Sequence, residues 1–158
     1  MNVTLPIPKY SEVINFLETL REAPWVLTAI SPIGEITTTT AQDASAARAC
    51  LLRWIGERNL YSSVNPTRTA QNKKAKKTDI AAIEFALADL DPADGESAED
   101  AKTRYLAVLD DFKPEPTAII DSGNGIQLLW RLKSPIKLAD PIKIINAKGV
   151  NSLAIMTP

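Results

Sequence analysis

Two aspartates separated by one residue form the first group in this sequence that could carry chemistry. Asp89 and Asp91 lie in the string ADLDP, residues 88–92. On a strand, residues two apart point to the same face, so the two carboxylates would project together. Such a pair suits a hard divalent cation, which takes oxygen ligands and helps to bind phosphates. The same string also suits an ordinary strand end followed by a turn, so the pair alone leaves both interpretations open.

A second group combines glycines with polar side chains in residues 121–131, which read DSGNGIQLLWR. The glycines permit unusual backbone angles and close approach of a ligand, and successive amide hydrogens in such a turn can form an anion-binding nest. In the strand that follows, alternation predicts Ile126, Leu128 and Trp130 in the core and the intervening residues on a ligand-facing side. The alternative interpretation is a hairpin in which Gly-Asn-Gly serves only the geometry of the turn. The candidate ligand-binding residues are Ser122, Gly123, Asn124, Gly125, Gln127 and Arg131.

Charge is distributed in blocks along the chain, although the net charge is only −1. Residues 68–77, RTAQNKKAKK, contain five positive charges and no negative one, whereas residues 84–115 contain ten acids and three bases. A local basic segment can attract a polyanion whatever the net charge. A solvated loop is the alternative interpretation. The candidate phosphate-contacting residues are Arg68, Lys73, Lys74, Lys76 and Lys77.

Length and composition exclude several classes of protein. The 158 residues, 45% of them hydrophobic, suit one ordinary domain. The sequence has no histidine, which removes histidine metal sites and histidine-based nucleophilic catalysis. Its one cysteine, Cys50, rules out an internal disulfide. With no apolar run of ~18–20 residues and no signal-like start, we expect a cytoplasmic protein without a membrane partner.

The elements that must position these residues alternate helices with hairpins, which predicts an α+β fold with a largely antiparallel sheet and flanking helices. Residues 80–90 are ambiguous between helix and strand, and we predict a strand for their second half. The predicted helices follow Ser11 and cover residues 43–57, 97–112 and, weakly, 141–147. The predicted strands cover residues 25–30, 35–40, 60–64, 117–121 and 126–132. The predicted buried positions of the helices are Val13, Ile14, Leu17, Leu20, Ala46, Ala47, Cys50, Leu51, Trp54, Ile55, Ala101, Tyr105, Val108 and Leu109.

Three strings together resemble a known family. Residues 61–68 (YSSVNPTR), 73–92 (KKAKKTDIAAIEFALADLDP) and 119–132 (IIDSGNGIQLLWRL) resemble RepB-like primases of the archaeo-eukaryotic primase–polymerase superfamily, which occur in plasmids and phages. The resemblance covers roughly residues 25–135. It implies that Asp89 and Asp91 are the catalytic residues that bind Mg²⁺ or Mn²⁺. It also implies that Ser122 and position 127 contact the phosphates of the incoming nucleotide.

The sequence departs from the family in two ways. Gln127 stands where the family has histidine, so it can donate a hydrogen bond but carries no positive charge. The family also has a third acidic residue in a later segment, and Asp140, the only acid in residues 136–158, has the wrong context. We therefore divide the chain into a primase-like domain, residues 1–135, and a weakly patterned extension, residues 136–158, which we expect to be a truncated or diverged end of the core.

Three functions remain open at this point. The favoured one is a mobile-element, primase-like domain that binds a nucleoside triphosphate or single-stranded DNA and whose nucleotidyltransferase activity is impaired or lost. The second is an active small DNA primase or polymerase that uses a divalent metal. The third is a repurposed phage protein that acts in the host cytoplasm by binding and inhibiting a nucleic-acid machine, in which case the partner is a protein. The sequence alone does not decide whether the chain is an enzyme.

Overall fold

The computed structural model describes residues 10–138 and 153–155. The first half of the chain forms α1 (Tyr10–Leu20), β1 (Trp25–Ile30), β2 (Ile36–Ala41), α2 (Ala44–Trp54) and β3 (Asn59–Ser62). The second half forms a single 3₁₀ turn (Lys77–Asp79), β4 (Ala82–Leu90), α3 (Ala98–Leu109), β5 (Ala118–Asp121), β6 (Ile126–Lys137) and β7 (Leu153–Ile155). The helix predicted at residues 141–147 lies outside the described residues.

The strands form two antiparallel sheets. The first sheet has the order β2-β1-β3-β7, and the second has the order β4-β6-β5. The predicted α+β class, with antiparallel strands and flanking helices, is confirmed. The hairpin β1–β2 pairs in a continuous register from Trp25 with Ala41 to Ile30 with Ile36. The boundary proposed after residue 135 falls inside β6.

Two hydrophobic clusters hold the sheets and helices together, and α1 contributes to both. Leu17 belongs to the cluster between the first sheet and the helices α1 and α2, and Leu20 belongs to the cluster against the second sheet. Helix α2 begins at Asp43, whose carboxylate accepts a hydrogen bond from the Ala46 amide at 2.8 Å, as expected of an N-cap. The predicted burial fails at Ala46, which is exposed, and at Val108, which is 61% exposed.

Strand β4 begins at Ala82, so the first part of residues 80–90, which the sequence leaves ambiguous between helix and strand, is extended as well. Its pairing with β6 is interrupted between Ile83 and Phe85. The buried Asn65 side chain fills this interruption: its oxygen accepts from the Glu84 amide at 2.7 Å and the Phe85 amide at 3.0 Å, and its nitrogen donates to the Phe85 carbonyl. A side chain distant in sequence thus supplies the hydrogen bonds that the strand ladder lacks here.

Strand β6 continues five residues beyond its predicted end, to Lys137. Its register with β4 jumps from Arg131, opposite Phe85, to Ile136, opposite Ile83. Pro135 lies within this jump, where no ladder hydrogen bond is required of it, and this explains how a strand can continue through a proline.

Candidate functional site

The two sequence motifs meet on neighbouring strands of the second sheet. Asp89 on β4 lies directly opposite Gln127 on β6, and Gln127 also faces Ile120 on β5. Residues directly opposite in an antiparallel pair have side chains on the same face, with Cβ atoms about 4.5–5.5 Å apart. The structure therefore brings together two residues that are far apart in the sequence and that belong to different motifs.

The glycine turn, residues 122–125, lies against the end of β4. A methyl group added to Gly125 would come within 2.1 Å of the Leu90 carbonyl oxygen and 3.2 Å of the Asp91 Cα atom. Only glycine permits so close an approach of the two backbones. The candidate site is thus the end of the second sheet where Asp89, Asp91, this turn and Gln127 converge.

The two carboxylates are open to ligands. Asp89 and Asp91 are both exposed, and neither side chain accepts a hydrogen bond or forms an ion pair with residues 10–138. Asp91 follows the last residue of β4, so only Asp89 is held in the strand. Within the described part of the chain, no group of three or more acidic, histidine or cysteine side chains could hold a metal. A cation held by this pair would therefore take its other ligands from water or from phosphate oxygens, as Mg²⁺ commonly does.

Gln127 is buried, with 6% of its surface exposed. The sequence placed Gln127, Leu129 and Arg131 on one face of β6 and predicted that Gln127 and Arg131 meet a ligand there, but the middle of this face is buried. Leu129 is fully buried in the cluster with Leu20 and Phe85, because α1 covers that face as a second layer. Both faces of β6 are core between Ile126 and Leu129. Gln127 can contribute a hydrogen bond at the margin of this core, but no charge.

The turn satisfies its own amide groups. The Asp121 carboxylate accepts from the Gly123 amide at 2.7 Å, and the Ser122 hydroxyl accepts from the Gly125 amide at 3.1 Å. The Ser122 amide donates to the Gly125 carbonyl. Three amides are therefore already used, and the predicted anion-binding nest is not formed. Asn124 is exposed, and the Ser122 hydroxyl hydrogen can still be donated to a ligand.

The Arg131 side chain contacts the C-terminal end of α1. Its guanidinium donates hydrogen bonds to the Thr19 and Leu20 carbonyls at the end of α1. It also lies over the Phe85 ring at 4.7 Å. A cation at a helix C-terminus satisfies carbonyls that have no partner within the helix. Arg131 lies four residues beyond Gln127 along β6, a rise of about 13 Å, and the structure does not bring it to the candidate site.

A third acid near the turn is neutralised by an ion pair. Asp121 lies 2.8 Å from the Lys102 Nζ atom. The hydrogen bond from Lys102, followed by that from the Gly123 amide, lowers the pKa of Asp121. The same hydrogen bond to Asp121 raises the pKa of Lys102. Among the acids of the two motifs, Asp89 and Asp91 therefore keep their charge without an ion pair in the described residues, whereas Asp121 does not.

Helix α3 fixes the loop that carries Asp91. The Tyr105 hydroxyl donates to the Asp91 carbonyl at 2.8 Å, and Arg104 donates two hydrogen bonds, of 2.8 and 2.7 Å, to the Glu96 carboxylate. Glu96 in turn accepts from the Ala93 amide. These residues were not predicted as parts of the site, since the helical spacing of Tyr105 indicates only a core position. A salt-bridging pair eight residues apart has no local signature.

The Glu96 carboxyl should titrate far below its usual range. Hydrogen bonds from Arg104, then from the Ala93 amide, lower the pKa of Glu96 from 4.5 to about 2. Because the folded-state pKa is depressed, this group stabilises the fold above pH ~4.5 and its contribution is lost as the pH falls towards 2. Carboxyl chemical shifts followed by NMR should show this, and Arg104→Gln should return the pKa of Glu96 towards 4.5. Arg48→Gln on α2 is the matched control, and titration of wild-type Glu96 near 4.5 would contradict the prediction.

The basic segment lies along the first sheet. Its ends are joined by the hydrogen bond from the Arg68 amide to the Asp79 carbonyl at 2.7 Å, and Gln71 is bonded to Thr40 of β2 through two hydrogen bonds. The Arg68 guanidinium donates to the Leu138 carbonyl. The segment is therefore a tethered loop with exposed ammonium groups. The exposed lysines are Lys73, Lys74, Lys76 and Lys77.

No protein-family model, curated protein or solved structure matches this chain. Among the described residues, no helix has the length and apolar character needed to cross a membrane.

Proposed function

We propose that this chain is a primase-like domain that binds a nucleoside triphosphate through a divalent cation, Mg²⁺ or Mn²⁺, held by Asp89 and Asp91. The observation that supports the proposal is the cross-strand pair of Asp89 and Gln127. Together with the close approach of Gly125 to Leu90, this pair brings the two aspartates and the glycine turn to the same end of the second sheet.

Each residue of the site has a distinct role in this proposal. The Asp89 and Asp91 carboxylates ligate the cation, which offsets their mutual repulsion and neutralises charge on the triphosphate. The Ser122 hydroxyl donates a hydrogen bond to a phosphate or sugar oxygen, and Gln127 lies beside Asp89 without adding positive charge. The ion pair of Lys102 with Asp121 keeps a third carboxylate from competing for the cation.

Nucleotidyl transfer is proposed to be impaired or lost. Stabilisation of a phosphoryl-transfer transition state depends on positioned positive charge around the phosphate oxygens. Gln127 supplies none, and Arg131 is committed to the end of α1. A single-stranded DNA template with labelled nucleotides should therefore show little or no metal-dependent extension, even when nucleotide binding is measurable.

A single-stranded nucleic acid is the second ligand in this proposal. The exposed ammonium groups of residues 73–77 stand along the first sheet, where they can neutralise successive phosphates. The affinity for a nucleic acid falls steeply as the salt concentration rises, because several phosphate contacts release counterions. Cation binding at Asp89 and Asp91 involves only two carboxylates, so its affinity should fall less steeply. The two ligands can thus be separated by their salt dependence.

Calorimetric titration of a Mn²⁺–nucleoside triphosphate complex into the protein tests the nucleotide site. We expect Asp89→Asn/Asp91→Asn to weaken binding at least about tenfold, which corresponds to roughly 1.4 kcal/mol, because amide oxygens leave the cation's charge uncompensated. Asp110→Asn/Asp111→Asn, a pair of exposed acids after α3, is the matched control with the same change of net charge. Equal losses in both double variants would refute the site.

A further inference from the structure

A cavity of about 180 Å³ lies between the first sheet and the basic segment, residues 68–77. Its walls include Thr28 of β1, Tyr61 of β3 and Lys74 of the loop. Thr28 and Tyr61 are directly opposite in the β1–β3 register and so share a face. The neighbouring residues Leu27 and Ala29 point the other way, into the cluster with α1 and α2. The cavity therefore opens on the face of the sheet that the helices do not cover.

Several hydrogen-bond donors line this cavity, and none of the described residues that line it is acidic. Lys74 forms no ion pair with any residue in the described ranges, and within the same ranges the hydroxyls of Tyr61 and Ser63 make no hydrogen bond. The hydroxyls of Thr28 and Thr38 are bonded to each other at 2.9 Å, which uses only one of their two hydrogens. Three hydroxyl hydrogens and one ammonium group are thus available to an acceptor.

The loop that carries Lys74 is held on both sides. Before it, the Gln71 amide donates to the Thr40 hydroxyl at 2.7 Å, and that hydroxyl donates back to the Gln71 carbonyl at 3.1 Å. After it, the Lys76 amide donates to the Asp79 carboxylate at 2.7 Å. Ala75 packs into the cavity wall next to Lys74. The backbone on either side of Lys74 is therefore held by hydrogen bonds, and its exposed side chain lies at the rim of the cavity.

We propose that this cavity binds a phosphoryl group. Lys74 would supply the positive charge, and the hydroxyls of Tyr61, Ser63 and the Thr28–Thr38 pair would donate to the oxygens, since charge-assisted bonds of this kind are the strong ones. A volume of about 180 Å³ equals roughly six water molecules at about 30 Å³ each, which is room for the five heavy atoms of a phosphate. The site belongs to the first sheet and does not depend on the proposed function of Asp89 and Asp91.

Titration with inorganic phosphate in the absence of divalent cations, followed by ³¹P NMR and calorimetry, tests this cavity. We expect wild-type protein to bind phosphate, Lys74→Gln to weaken binding at least tenfold and Tyr61→Phe to weaken it about threefold. Lys137→Gln, an exposed lysine at the end of β6, is the matched charge control and should change affinity less than twofold. Circular dichroism and the Tm should show that each variant is folded.

Competition identifies the source of the phosphoryl group. Displacement of phosphate by a nucleoside 5′-monophosphate assigns the cavity to a small ligand, whereas displacement by a single-stranded oligonucleotide assigns it to a nucleic-acid backbone. The proposal is overturned if wild-type protein binds no phosphate, if neither competitor displaces it, or if Lys74→Gln and Lys137→Gln weaken binding equally. Equal loss would mean that only the general potential of the protein attracts the anion.

Discussion

Gly125→Ala is expected to destabilise the protein by about 3 kcal/mol, which is the upper end of the usual cost of overpacking a tight site. Its Cβ atom would lie 2.1 Å from the Leu90 carbonyl oxygen, and a backbone atom cannot rotate out of the way as a flexible side chain can. The turn must then separate from β4, which also removes Ser122 from the carboxylates. Urea unfolding monitored by circular dichroism gives the change in stability, and the nucleotide titration gives the change in affinity.

Gly123→Ala is the matched control for this prediction. Gly123 has a φ of +87°, and an added methyl group would meet nothing within 4 Å. The destabilisation caused by Gly123→Ala therefore comes only from placing alanine in a left-handed backbone conformation, which costs about 1 kcal/mol. If the two substitutions proved equally destabilising, the close contact between the turn and the end of β4 would not be the feature that holds the site together.

Asn65→Ala is expected to destabilise the protein by about 3 kcal/mol. The substitution leaves the amides of Glu84 and Phe85 and one carbonyl without partners inside the protein, and each unsatisfied buried group costs about 1–3 kcal/mol. Because water can partly reach the half-buried Glu84, we expect the total cost of the three unsatisfied groups to lie near the lower end of this range. Thermal and urea unfolding should both report the loss.

Asn72→Ala provides the control for Asn65, because Asn72 is an exposed asparagine in the basic loop. A surface substitution of this kind should change stability by less than about 0.5 kcal/mol. A loss below 1 kcal/mol in Asn65→Ala would show that the irregular part of β4 does not depend on this side chain. In that case the account of why residues 82–85 are extended would fail.

The sequence predicted those elements whose own pattern repeats clearly. The run of strand formers in WVLTAI and the capped, periodic stripe after Asp43 are local signals, and both elements appear where they were expected. Residues 80–85 were ambiguous because alanine and isoleucine suit a helix as well as a strand. Their conformation is decided by the bonds from Asn65 and by pairing with β6, which are long-range contacts that no local window contains.

The candidate site was predictable in part for the same reason. The motifs named Asp89 and Gln127, and the structure makes them cross-strand neighbours. The predicted role of Arg131 depended on alternation along β6, which cannot reveal that α1 ends against this strand and takes up the guanidinium. The hydrogen bond from Tyr105 to the Asp91 carbonyl depends on how α3 docks, so it too was invisible in the sequence.

The central claim is that a divalent cation binds between the two motifs at the end of the second sheet. Paramagnetic broadening of assigned amide signals during Mn²⁺ titration tests it most directly. The account predicts that the backbone amides of Asp89 and Asp91 and the side-chain amide of Gln127 broaden first, and that Asp89→Asn/Asp91→Asn abolishes this broadening. Broadening that begins at Asp110 and Asp111, or that is equal at all exposed acids, would contradict the claim.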